Sequence, residues 1–162
     1  MKQTAPIEAG VCVADLDRMQ SFYERALGCC EVRRAEIPAA LSSAIALAAN
    51  GYTCVWLKTP GGETIKLMRP ASPPAVSGAP ALLTERRGIA YLTFYCTAIA
   101  DVLAAAEAAG AALRSDRTLL AEGRPVRLCF FADPEGNVIE LVEPQDLASF
   151  RPDIVSARRS AE

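Results

Sequence analysis

The sequence predicts an α+β protein built from two tandem βαβββ modules. Three observations lead there. First, Gly62-Glu63-Thr64-Ile65-Lys66-Leu67-Met68-Arg69-Pro70 aligns without gaps to Gly136-Asn137-Val138-Ile139-Glu140-Leu141-Val142-Glu143-Pro144, with Gly, Ile, Leu and Pro shared. Both segments read as a turn glycine, a short apolar and β-branched strand, and a proline stop. Second, each half opens with an apolar, strand-like run that leads into a helix. Third, a proline-bearing stretch separates the halves.

In the first module, residues 5–70, a strand is expected over 7–13, with Asp15 as helix N-cap. Leu16, Met19, Phe22, Tyr23, Ala26 and Leu27 recur at helical spacing as a core stripe, and Gly28 ends the helix. Strands are then expected over 43–48, 53–58 and 64–69, although the alanine-rich 44–49 stretch also suits a helix. Residues 31–41 read as irregular. Thr59-Pro60-Gly61-Gly62 supplies a hairpin turn.

Residues 71–87 form the linker, with Pro73, Pro74, Gly78 and Pro80. The second module, residues 88–144, repeats the pattern. It has a strand over 89–96, Thr97 as cap candidate, a stripe of Ile99, Val102, Leu103, Ala106 and Ala109, and Gly110 as the stop. Strands follow over 113–116, 127–131 and 138–142, and the last turn is Asp133-Pro134-Glu135-Gly136. The turn residues Glu63 and Glu135 read as solvated. Residues 145–162 read as a tail, with a short helix that docks or frays.

The chain has 162 residues, 51% hydrophobic and 22% charged, which favours a packed core over disorder. No apolar run reaches the roughly 18 residues of a membrane span, and residues 1–10 lack the apolar core of a signal peptide. A net charge of −2 argues against nucleic acid as a partner, and Arg86-Arg87 and Arg158-Arg159 are too short to be basic patches. There is no histidine, so an imidazole base and an imidazole metal ligand are both excluded. None of the six cysteines forms a CxxC pair, which argues against zinc. They read as free thiols in a reducing, cytoplasmic setting. The vicinal Cys29-Cys30 reads as a helix exit packed on the core, with a redox pair as the alternative.

Two stretches carry a family resemblance. Val13-Ala14-Asp15-Leu16-Asp17-Arg18, with Ser21-Phe22-Tyr23 and Leu27-Gly28, resembles the opening strand and helix of the vicinal oxygen chelate superfamily. Phe131-Ala132-Asp133-Pro134-Glu135-Gly136-Asn137, with Ile139-Glu140-Leu141, resembles its closing hairpin. That superfamily includes glyoxalase I, extradiol dioxygenases, methylmalonyl-CoA epimerase, fosfomycin thiol transferases and bleomycin-binding proteins. The resemblance implies that the two modules form a cup-shaped, barrel-like mixed sheet with four inward positions at its centre. It also implies a small-molecule ligand and a homodimer. The cup would close either within one chain or between modules of two chains.

Carried onto this sequence, the four positions are Glu8, Lys66, Tyr91 and Glu140. Tyr91 stands seven residues before Ala98, as Glu8 stands seven before Asp15, and Lys66 aligns with Glu140 in the repeat. Relatives that hold a metal use His, Glu or Gln there. The lysine ammonium repels a cation, so no tightly bound transition metal is expected. Glu8 and Glu140 would hold Mg²⁺ or Mn²⁺ only weakly, through water.

The plain structural alternative is that Lys66 neutralises Glu8 or Glu140 and that Tyr91 caps the network. The functional reading gives Lys66 the role of electrophile for a carbonyl or carboxylate oxygen. One glutamate would then be a general base, poised by its neighbour, and Tyr91 an acid or hydrogen-bond donor. That set suits an isomerase, an epimerase or a lyase; a binding or resistance protein with the same cup is the alternative. Trp56 and Lys58 share one strand face, and Thr93 and Tyr95 alternate with Tyr91, so all four are candidate ligand contacts. Arg127 is a further candidate for an anionic group, or else for a surface carboxylate.

Overall fold

The structure, a computed structural model, describes residues 3–76 and 80–159. Gly78 of the linker and residues 160–162 of the tail lie outside the described residues. Eight strands form two four-stranded mixed sheets. The first contains β1 (Glu8–Cys12), β2 (Cys30–Ile37), β3 (Tyr52–Lys58) and β4 (Thr64–Pro70), in the order β1-β4-β3-β2. The second contains β5 (Leu92–Tyr95), β6 (Ala112–Leu113), β7 (Val126–Ala132) and β8 (Val138–Pro144), in the order β5-β8-β7-β6. In each sheet the opening strand runs parallel to the closing strand and the other pairings are antiparallel. The repeat seen in the sequence is therefore a repeat of topology.

Helix α1 (Leu16–Leu27) and helix α3 (Ile99–Ala108) pack against each other and join both sheets in one core. Met19, Phe22 and Tyr23 of α1 meet Ile99, Leu103 and Ala106 of α3. Val55, Leu57, Ile65 and Leu67 line the first sheet's side, and Cys129, Phe131, Ile139 and Leu141 the second's. Strand alternation then leaves the opposite face of each sheet open. The expected barrel-like closure is not present: the sheets stay separate, with β1 and β5 as unpaired edges.

Local signals account for the helices. Asp15 caps α1 by accepting the Arg18 N–H at 3.0 Å, and Gly28 ends it at φ 66°, where a side chain would be strained. For α3 the expected cap, Thr97, lies one residue early. Ala98 precedes the helix at φ 54°, and its N–H donates to Glu143 Oε1 at 2.7 Å.

Three expectations need correction. The segment read as irregular contains β2, an edge strand with a bulge between Glu31 and Arg33. Its charged side chains suit an edge open to water. The strand expected over 43–48 is absent; α2 (Ala39–Ala44) and a turn stand there instead. Alanine favours the helix, and buried Ser42 locks the turn by donating to Ala48 O at 2.7 Å and accepting the Gly51 N–H at 3.1 Å. The strand expected over 113–116 is reduced to β6, followed by a 3₁₀ turn at Arg117–Leu120.

The last hairpin ties the modules together. Glu135 is not merely solvated: its carboxylate accepts the N–H groups of Ala14 and Asp15, both at 2.7 Å. It therefore sits at the N-terminus of α1, where negative charge is favoured. Asp133, only 3% exposed, accepts the N–H groups of Glu135 and Asn137 and the Tyr23 hydroxyl. In the first module's hairpin Gly61 stands where Glu135 stands in the second, so that turn offers no such carboxylate. The tail docks: α4 (Leu147–Phe150) and α5 (Pro152–Arg159) flank Arg151, which donates to the Tyr95 hydroxyl at 2.8 Å.

Candidate functional site

The parallel register of β1 on β4 sets Gly10 opposite Lys66 and Glu8 two residues away on the same face. The Lys66 ammonium forms an ion pair with Glu8, while the space above Gly10 is taken by the end of the Met68 side chain. Trp56 is the cross-strand partner of Lys66 on the other side, and Arg33 of β2 pairs with Trp56 in turn. Two cations thus lie near one indole, with the Arg33 guanidinium 4.8 Å and the Lys66 Nζ 5.9 Å from its centroid. Lys58 lies two residues along β3 on this same open face.

The second sheet repeats the grid with other side chains. Thr93 stands opposite Glu140, as Gly10 stands opposite Lys66, and its hydroxyl donates to Glu140 Oε2 at 2.7 Å. Phe130 is the cross-strand partner of Glu140, as Trp56 is of Lys66. Tyr91 takes the place of Glu8, and its ring meets Phe130 edge-on with centroids 5.1 Å apart. Positions 8, 10, 66 and 56 are therefore matched by 91, 93, 140 and 130.

All four central positions lie on open faces, and among the described residues no hydrogen bond or ion pair joins those of one sheet to those of the other. Glu8 and Lys66 meet on the first sheet; Tyr91 and Glu140 share the second. Within this chain Lys66 neutralises Glu8 and not Glu140. Tyr95 faces the same way as Thr93, but its hydroxyl is taken by Arg151, whose guanidinium lies 5.8 Å from the ring centre. Arg127 is not on this side: it alternates with Leu128 and Phe130, shares a face with Cys129 and Phe131, and pairs with Glu143. Two recesses lie apart from Lys66 and Glu140. One of about 160 Å³ is bounded by Glu36, Pro38, Asn50 and Arg69, and one of about 350 Å³ by Ala14 and the start of the linker.

Two residues of this grid escaped the sequence reading. Arg33 fell in the segment taken as irregular. Phe130 had a usable signal, because extending the gapless repeat back through the hairpin aligns it with Trp56. The thiols on the first face are poor nucleophiles. Burial pushes Cys54 up, with Glu8 adding to the rise and Lys66 opposing it, and burial with Glu135 raises Cys12. On the first face the strand carboxylate, Glu8, is paired by the Lys66 ammonium, and a cation at that place does not suit a divalent ion.

Tandem βαβββ modules with equivalent polar pairs on their open faces define a glyoxalase-type fold. The chain belongs to the Glyoxalase/Bleomycin resistance protein/Dioxygenase superfamily, whose profile matches residues 5–141. Among solved structures it resembles a glyoxalase family protein from Bacillus cereus, with TM-score 0.75 and 22% identity over 90% of this chain and 97% of that one. A glyoxalase/bleomycin resistance protein/dioxygenase domain from Frankia gives TM-score 0.61 and 20% identity over 90% and 95%. The fosfomycin resistance protein FosX of Listeria monocytogenes, a complex with Mn(II) and sulfate, gives TM-score 0.59 and 12% identity over 93% and 100%. No curated protein matches the chain.

Proposed function

We propose that this protein is a metal-independent catalyst of acid–base chemistry on a small carbonyl- or carboxylate-containing molecule. Its site would be completed by a second copy of the chain. The observation that carries this reading is the division of the grid. An ammonium–carboxylate pair lies on one open face, a hydroxyl-oriented carboxylate lies at the equivalent place on another sheet, and among the described residues no ion pair or hydrogen bond links the two. A C2 pair would apply the first sheet of one protomer to the second sheet of its partner, twice. Homodimers are common among related proteins, and the unpaired edges β1 and β5 leave room for such an arrangement.

In that site Lys66 would bind the substrate's carbonyl oxygen and hold the negative charge that develops there. Glu140, fixed by the Thr93 hydroxyl, would take the proton from the adjacent carbon, and the bond's electrons would move into the enolate. Returning the proton to either face gives an epimerase or isomerase; expelling a leaving group from the neighbouring carbon gives a lyase. Glu8 would hold the Lys66 side chain in place through their ion pair, and Tyr91 would donate a hydrogen bond. The cation at this place supports a role for Lys66 in place of a metal. The free thiols suit a reducing, cytoplasmic setting.

A second reading is favoured by the aromatic surfaces of Trp56, Tyr91 and Phe130, which suit a binding or resistance protein. Proton NMR of small keto acids in D₂O separates the two. Exchange of protons next to the carbonyl in wild type, lost in Lys66→Met, supports catalysis. Saturable binding without exchange supports the binder. Exchange that survives Lys66→Met sinks the mechanism.

A further inference from the structure

The two open faces differ in character. The first sheet presents three cations, Arg33, Lys58 and Lys66, against the single carboxylate of Glu8. Lys66 is spoken for by Glu8, whereas among the described residues no carboxylate pairs with Arg33 or Lys58. The second sheet presents Leu128 and Phe130, both partly exposed, beside the buried Val138 and Val142; Glu140 is its one strand-borne charge, and the Arg151–Asp153 ion pair of the tail lies over Tyr95. An anion is drawn to the first face and repelled by Glu140 on the second, while an apolar group finds Phe130 and Leu128 on the second.

We infer that the ligand is an amphipathic organic anion. Its carboxylate lies on the Arg33 guanidinium and the Lys58 ammonium, and its apolar or aromatic body lies against Phe130 and its neighbours on the facing sheet. The planar guanidinium, held over the Trp56 ring, presents its donor edge as a fork that matches a carboxylate. Arg33 is thus a specificity-determining residue, distinct from Lys66, which meets the carbonyl oxygen. This inference rests on the proposed apposition of the two faces.

Trp56 is the chain's only tryptophan, so its emission reports on this face alone. The test titrates the protein with benzoate, phenylacetate and 3-phenylpropionate, with the alcohols of the same three skeletons, and with acetate. At least one aryl acid is expected to saturate the Trp56 signal with a Kd at least tenfold below that of its alcohol and of acetate. Arg33→Gln should abolish the preference for acid over alcohol; Arg33 is exposed, so the variant is expected to fold. An alcohol or acetate that binds as well as the acid, a preference that survives Arg33→Gln, or no response to any of the acids overturns the inference. Glu140→Gln keeps the two proposals apart: it should lose proton exchange while retaining the Arg33-dependent preference. A wild-type protein that exchanges protons without that preference would leave the catalytic reading standing and remove this one.

Discussion

Tyr23 of the first module donates its hydroxyl hydrogen to Asp133 of the second at 3.2 Å, and both side chains are buried. Burial raises the Asp133 carboxyl above its ordinary range, although hydrogen bonds from Asn137, Glu135 and Tyr23 pull it down. Tyr23→Phe removes one donor to a charged acceptor and is expected to cost about 1.5–3 kcal/mol in urea unfolding. The pH dependence has a definite sign. A carboxyl raised in the folded state favours folding while protonated, and that contribution is lost as pH climbs from the unfolded value of about 3.9 through the folded one. The stability of wild type relative to Asp133→Asn should therefore fall as pH rises through that window; a flat difference would contradict the raised carboxyl.

Divided sites allow complementation. In the proposed dimer, a Lys66→Met chain paired with a Glu140→Gln chain has one site with both residues intact and one with neither. Each variant alone should retain about 1% or less of wild-type exchange activity. Unfolding and refolding an equal mixture should recover about a quarter of it, because half of randomly paired dimers carry one good site. A site contained in a single chain would show no recovery. Light scattering should give twice the 17.2 kDa chain mass.

The ammonium at Lys66 predicts indifference to metal. Protein prepared without chelator is expected to carry far less than one Mn, Zn or Mg per chain by plasma mass spectrometry. EDTA should leave the proton exchange rate and Tm unchanged. Stoichiometric metal, or activity that EDTA removes, would return a cation to the mechanism.

The thiols should react in a fixed order. Burial pushes Cys29 and Cys96 up to about 12 and Cys129 up to about 11, so each is a protonated thiol at pH 8. Cys30 is exposed on the edge strand. A disulfide reagent at pH 8 should modify Cys30 quickly and Cys29 only on unfolding, as peptide mapping would show. Rapid formation of a Cys29–Cys30 bridge would instead favour the redox alternative.

The fold was largely legible because duplication leaves a pattern stronger than propensity. The paired segments ending in Pro70 and Pro144 located β4 and β8, and the same shift led to Lys66 and Glu140. The second strand was illegible for a physical reason. In Glu31-Val32-Arg33-Arg34-Ala35-Glu36 charges fall on both faces, and a bulge breaks the two-residue period. Arg33 went unseen with it. The separation of the two halves of the site was illegible too, because the packing of α1 on α3 depends on tertiary contacts that no local pattern records.

Glu135 has Gly61 as its counterpart, and the support it gives runs in one direction only. The second module's turn holds the start of the first module's helix through the Glu135 carboxylate. The halves began as copies and are now specialised tenants of one fold. A protein assembled from two first modules would have both helices but glycine at the turn position from which Glu135 reaches Ala14 and Asp15. Divergence at this one turn position has thus made two copies of a module unequal, one of them the other's anchor.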